Sequence, residues 1–274
     1  PRTRKPVLPT SPRSRDCFPL DLPHYNVLGV GIHAVNLSSA TNHLLEASQQ
    51  RASGYVCCCD AHSLNQARRH TRHRVTLNRA LLATPDGMPA VWMGRYRGHA
   101  NVDRVYGPDL LQAVTAATAD TEHRHYFFGG QPGVADELAT HLAKKYPGLQ
   151  VAGTESPPNV EDVATLPFEK ILAASPDFVW VGLSTPKQEA FMRRLTEAHP
   201  AGPILIGVGA AFDFLTGRVR QAPRVVQRSG LEWLWRLVHE PRRLGGRYLR
   251  TVPIFALRLL GQVTGLRAYP IDTV

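Results

Sequence analysis

The chain has 274 residues, 43% of them hydrophobic, enough for one large α/β domain or a domain with an appendage. Its 32 Lys and Arg against 22 Asp and Glu give a formal net charge of +10, which points to an anionic partner: a nucleotide, a nucleic acid or an anionic membrane surface. No apolar run reaches the roughly 18 residues of a membrane span, and the four cysteines contain no CxxC pair, which argues against a zinc site or a disulfide framework.

Residues 1–24 are rich in Pro, Arg and Ser and read as a disordered basic arm without the apolar centre of a secretory signal. Asn26–Ile32 reads as a strand, 38–48 as a helix, Tyr55–Cys59 as a strand and Ala61–Arg69 as a helix. Cys57, Cys58 and Cys59 are adjacent on that strand and so point to alternate faces; with Cys17 they are expected to be reduced thiols of a cytosolic protein. A loop at 83–89 precedes a helix at 90–96. Alternation is then regular: helices at 108–118, 134–146, 160–174 and 186–198, and strands at 125–128, 149–152, 178–183 and 204–208. Strands alternating with helices predict a Rossmann-like α/β domain over 25–215, its sheet mostly parallel with right-handed crossovers. After residue 215 only helices are expected, at 224–228, 231–238 and 244–260, forming a basic appendage over 216–274. From 218 to 258 it carries ten arginines against two acids, Glu232 and Glu240.

Candidate site residues sit at the predicted strand ends, where open α/β sheets bind ligands. Asp86-Gly87, held between Pro85 and Pro89, reads either as a turn or helix cap or as a rigid carboxylate able to act as a general base. Arg104, just before the Gly107-Pro108 turn, is either a solvated arginine or a guanidinium for a diphosphate. Gly129, Gly130 and Gly133 form a glycine-rich turn that lacks the full GxGxxG pattern and any Walker lysine, so a nicotinamide enzyme or a P-loop is not supported. Ser184, Thr185, Lys187 and Gln188 follow the apolar run 178–183; Ser184 or Thr185 is expected to cap the next helix, and its N-terminus favours an anion. Gly209 and Asp213 follow the last strand, Asp213 either contacting ribose or a base edge or holding the turn. The histidines show no metal-ligand spacing, and neither a metal nor a cofactor is expected. Arginines set among Trp233, Trp235, Tyr248 and Phe255 suit an anionic membrane surface better than nucleic acid.

Taken in order, Asp86-Gly87, 104–110, 128–134, 181–189 and the block 207–248, with its Gly230-Leu231-Glu232-Trp233-Leu234 and Glu240-Pro241-Arg242-Arg243-Leu244 segments, resemble the WecG/TagA/CpsF family of bacterial glycosyltransferases. The resemblance implies inverting transfer of a hexose or N-acetylhexosamine-type sugar from a UDP-sugar to a polyprenyl-diphosphate-linked saccharide, in cell-surface polysaccharide synthesis at the cytoplasmic membrane face. It implies Asp86 as the base, Arg104 and Gln188 as shapers of the site, and basic appendage residues reaching the lipid diphosphate, which points to the region 218–250 without fixing residues; Arg218 and Arg224 are taken as candidates from it. Membrane docking through the appendage and a monomer–oligomer equilibrium are implied as well. In one place the chain departs from the family: Cys58-Cys59-Asp60 stands where a Thr-x-Asn pattern is usual. A thiol is a weak donor and an ionised carboxylate only accepts, so altered sugar selection or site geometry is expected there, and Asp60 becomes a second candidate base. The competing reading is a nucleotide- or nucleic-acid-binding regulator with a basic tail.

Overall fold

The computed structural model describes residues 22–157, 163, 166 and 168–271. The expected basic arm lies outside the described residues up to residue 21, and His24 already belongs to the first strand. The single strand expected at 26–32 is a hairpin, β1 (His24–Val27) and β2 (Val30–His33), paired antiparallel. Both turn residues, Leu28 and Gly29, have positive φ, the combination that matches the right-handed strand twist in a two-residue turn. An alternating apolar run cannot show such a break, because the turn interrupts the spacing by only two residues.

A six-stranded sheet follows, in the order β4-β3-β8-β7-β5-β6, with all of its pairings parallel. Its strands are β3 (Gly54–Cys59), β4 (Leu82–Pro85), β5 (Arg124–Gly129), β6 (Gln150–Glu155), β7 (Phe178–Gly182) and β8 (Ile204–Gly207). β4 falls partly in the stretch expected as a loop. It is an edge strand, and Pro85 closes it, a position where proline is tolerated.

Two core layers sandwich the sheet. On one face lie α1 (Leu37–Gln49), α5 (Gly107–Ala117), α6 (Val134–Lys145) and α9 (Ala211–Leu215). On the other lie α2 (Ala61–Arg69), α3 (Thr71–Asn78), α7 (Glu169–Ala173), α8 (Lys187–Ala198) and the β1–β2 hairpin, with α4 (Met88–Tyr96) against the hairpin. β3 shows the alternation directly: Tyr55, Cys57 and Cys59 join one layer, Val56 and Cys58 the other. The three described cysteines are free and buried. α3 and α9 carry no clear apolar periodicity and were not expected; the first part of the helix expected at 160–174 falls largely outside the described residues.

After Leu215 come α10 (Arg224–Arg228), α11 (Glu232–His239) and α12 (Pro241–Val263). α12 lies against α2 and the hairpin. Asn65 Nδ2 donates to Thr251 O (2.9 Å), Leu28 N donates to Gln262 Oε1 (2.9 Å), and Asn26 Nδ2 donates to Tyr269 O (2.6 Å). Phe255 and Tyr269 enter the core beneath.

Candidate active site

Parallel pairing brings the carboxyl ends of β3 and β4 side by side, Cys59 opposite Pro85. Asp60 and Asp86 therefore leave adjacent strands at the same rim. The segment after α4 returns along β4: Val105 N donates to Pro85 O (2.9 Å), which sets Arg104 beside Asp86. Asp86 does not cap α4; Gly87 holds the cap position without a side-chain bond, and the Asp86 carboxylate turns to Arg104 instead.

Arg104 is the hub. Its Nε donates to the Asp86 carbonyl, its Nη2 lies 3.5 Å from Asp86 Oδ1 and 2.7 Å from Glu232 Oε2, and its Nη1 donates to Gln227 Oε1 (3.3 Å). The guanidinium stacks over Tyr106 at 4.0 Å. Both partners of the inner pair are largely shielded, with side chains 17% (Asp86) and 14% (Arg104) exposed. Burial pushes the Asp86 carboxyl up to about 7; Arg104 opposes that shift, while the carboxylates of Asp60 and Glu232 add to it. A carboxylate with a midpoint near neutrality suits a general base. Arg104 itself stays charged, because Asp86 and Glu232 more than offset the cost of its burial.

These groups line a cavity of about 610 Å³. Its polar lining comprises Asp60, Asp86, Gly87, Arg104, Tyr106, Gln227, Glu232, Arg236 and Tyr248; its apolar lining includes Met88, Trp92, Trp233, Val252, Phe255, Leu259 and Val263. The Tyr106 hydroxyl is buried without a hydrogen-bond partner. Trp92 closes over Gly230, where a Cβ would stand 2.7 Å from the indole and where φ is +78°. On the far side of Arg104 and Gln227 lies a second cleft of about 530 Å³, lined by Asn36, Ser38, Asp109, Gln112, Arg224 and Arg228.

Of the residues singled out from the sequence, Asp60, Asp86, Gly87 and Arg104 meet in the first cavity, and Arg224 reaches Arg104 only through the second cleft. Cys58 lies beneath them, buried, with its thiol pushed well up by burial. Asp60 caps α2 through Ser63 N (2.7 Å), a role that Asn and Asp fill equally well. The other residues stand apart from the cavity. Gln188 is buried; its Oε1 accepts from Gly209 N (3.0 Å) and its Nε2 donates to Glu189 Oε1 (3.0 Å). Neither Ser184 nor Thr185 caps α8: the Thr185 hydroxyl donates to Glu189 Oε1 (2.9 Å) instead, drawn by a buried carboxylate. Lys187 opens α8, and Asp213 sits in the first turn of α9. Gly129 and Gly130 turn at the end of β5, and Gly133 caps α6 in the left-handed region. Arg218 pairs with Glu137 of α6 (2.6 Å).

Sequence reasoning missed Tyr106, Gln227, Glu232, Arg236 and Trp92 as site residues. One signal was available: Glu232 and Arg236 are spaced i, i+4 and so share a helix face with Trp233 beside it. Among the described residues no helix is long and apolar enough to cross a membrane. The family model described as the Glycosyl transferase WecG/TagA/CpsF family matches residues 25–269, so both the rim carrying Asp86 and the helices that cover it lie inside the match. The chain belongs to the WecG/TagA/CpsF family and is a glycosyltransferase of cell-surface polysaccharide synthesis, for which the family implies a nucleotide-sugar donor and a lipid-linked acceptor.

Proposed function

We propose that the chain transfers a hexose or N-acetylhexosamine-type sugar from a UDP-sugar to a polyprenyl-diphosphate-linked saccharide, with inversion, at the inner face of the cell membrane. The observation that carries this reading is the mixed lining of one cavity: Asp86, Arg104 and Arg236 share it with aromatic and aliphatic side chains. A saccharide diphosphate on a prenyl chain combines the same polar and apolar chemistry. Asp86 takes the proton from the acceptor hydroxyl as its oxygen attacks the anomeric carbon; the bond from that carbon to UDP breaks and its electron pair leaves on the β-phosphate. Arg104 and Arg236, shielded from water, are the cations positioned to offset phosphate charge. Asp60 is the weaker candidate for base because one of its oxygens is engaged by Ser63 N.

α12 supplies the membrane contact in this reading. Leu249 (69% exposed), Pro253, Leu257 (70%) and Leu260 (59%) recur at four-, four- and three-residue spacing and form one outward ridge. The reading is tested with a panel of UDP-sugars and a short-chain prenyl-diphosphate saccharide, following UDP release and product stereochemistry. Turnover with inversion supports it; no release with any UDP-sugar, or retention, rejects it.

A further inference from the structure

α2 ends at Arg68-Arg69, α12 carries Arg258, and Arg267 follows in the segment after α12. These four arginines are drawn together by the packing of α12 on α2. Arg258 Nη1 donates to Asn65 Oδ1 (2.9 Å) across the helix pair. The Arg68 guanidinium stands over the Tyr269 ring at 4.7 Å. Arg267 N donates to Gly261 O (3.0 Å), and its side chain packs over Gly261, one turn beyond Arg258. The cations repel one another: Arg258 is pushed down from its ordinary value first by burial and then by Arg69, Arg68 and Arg267, with Tyr269 opposing. Among the described residues no carboxylate forms an ion pair with any of the four.

Uncompensated like charges oppose the packing that brings them together, so a cluster held in place by other contacts offers a ready anion site. Its position points to the anion's source. Arg258 follows Leu257 around α12, about 100° from the outward leucine ridge, and Leu266 beside Arg267 is 81% exposed. Apolar side chains and guanidinium groups thus stand side by side on one surface, the arrangement that fits a bilayer interface and not a duplex groove.

We propose that Arg68, Arg69, Arg258 and Arg267 form a site for the phosphates of anionic phospholipids, and that a headgroup bound there bridges α2 to α12. The bridge relieves the repulsion between the two helices and so seats α12 against α2, which starts at the cavity rim through Ala61. This surface belongs partly to the sheet layer, through α2, and extends the membrane contact beyond the C-terminal helices. The proposal rests on the membrane-surface part of the proposed function and not on the role of Asp86.

The test uses the full chain, with vesicles of phosphatidylcholine containing one quarter phosphatidylglycerol and vesicles of phosphatidylcholine alone, read by co-sedimentation. Arg69→Gln with Arg267→Gln changes two exposed side chains. Partition onto the anionic vesicles should fall about 30-fold, the effect of removing two headgroup-level charges, and partition onto neutral vesicles should stay within about twofold. Arg79→Gln with Arg124→Gln, equal in charge and away from α12, should lose less than about threefold. Vesicle-free transfer to a water-soluble short-prenyl acceptor should survive in the Arg69/Arg267 variant, so loss of the transferase reading and loss of this site are told apart. Unchanged partition of the Arg69/Arg267 variant overturns the proposal, as does an equal loss in the Arg79/Arg124 variant. Tighter binding of duplex DNA than of anionic vesicles at the same salt, lost in the same variant, would assign the cluster to nucleic acid and also overturn it.

Discussion

Glu232 on α11 holds the guanidinium of Arg104 at 2.7 Å, closer than the 3.5 Å that separates Arg104 from the Asp86 carboxylate. A residue from the C-terminal helices therefore competes with the candidate base for the same cation. The competition has an electrostatic consequence. While Glu232 engages Arg104, less of its charge is available to hold Asp86 ionised, and the Glu232 carboxylate itself raises Asp86.

Replacing Glu232 by Gln should move Asp86 downward, since it removes a neighbouring negative charge and leaves Arg104 to Asp86 alone. The acid limb of the pH profile of kcat/KM, expected near 7 in the unmodified chain, should shift to lower pH. A limb that stays in place or rises would show that Glu232 does not act on Asp86.

Asp86→Asn should leave the fold intact and lower turnover by about 10²–10⁴, the usual contribution of a general base. UDP release and thermal denaturation, measured on the same preparation, separate loss of chemistry from loss of structure. Near-normal kcat would remove Asp86 from the mechanism.

The raised Asp86 value also sets a stability trend. The folded chain holds this proton up to about pH 7, whereas the unfolded chain releases it near the ordinary aspartate value of 3.8. Between those values the folded state binds more protons, so the Asp86 contribution to stability declines as pH rises from about 4 to 7. Urea denaturation at pH 5 and pH 7.5 should show a smaller decline in Asp86→Asn than in the unmodified chain; an equal or larger decline contradicts the assignment.

Gln188 stands beneath the sheet rim and joins the β8 loop, through Gly209 N, to the buried Glu189. Gln188→Ala leaves a backbone donor and part of a buried carboxylate unpaired, at a cost of roughly 1–3 kcal/mol. Tm and activity should fall together. Full stability with lost turnover would instead place Gln188 against the substrate.

Gly129→Ala probes the glycine-rich turn at the end of β5. Here φ is +126°, and a Cβ would stand 2.6 Å from Gly182 O of the neighbouring strand. Overpacking alone should cost roughly 1–3 kcal/mol, read as a lower denaturation midpoint. Little change would mean that β5 and β7 can part at that point.

Much of this architecture was legible in one dimension. α2 and α10 fall on their expected bounds, and the other long elements within a few residues, because periodicities of 2 and 3.6 reflect which faces are buried. The misses share a cause. The Leu28-Gly29 turn breaks an apolar run over two residues, β4 is four residues long and closed by proline, and α3 has little apolar periodicity, being stabilised by its packing on α2, α8 and β2. The expected cap at Ser184 or Thr185 failed because a buried carboxylate, Glu189, outcompeted the helix end for the Thr185 hydroxyl.

The residue order by itself determined the alternating fold, the family and the rim that carries Asp86 and Arg104, since each depends on local spacing or on a contiguous motif. Tertiary structure alone decided that Glu232 and Gln227, more than 120 positions from Arg104 along the chain, close on it, and that α12 lays its arginine beside those of α2. Charge interactions act through distance in space, and no spacing along the chain records which carboxylate will reach a buried guanidinium first.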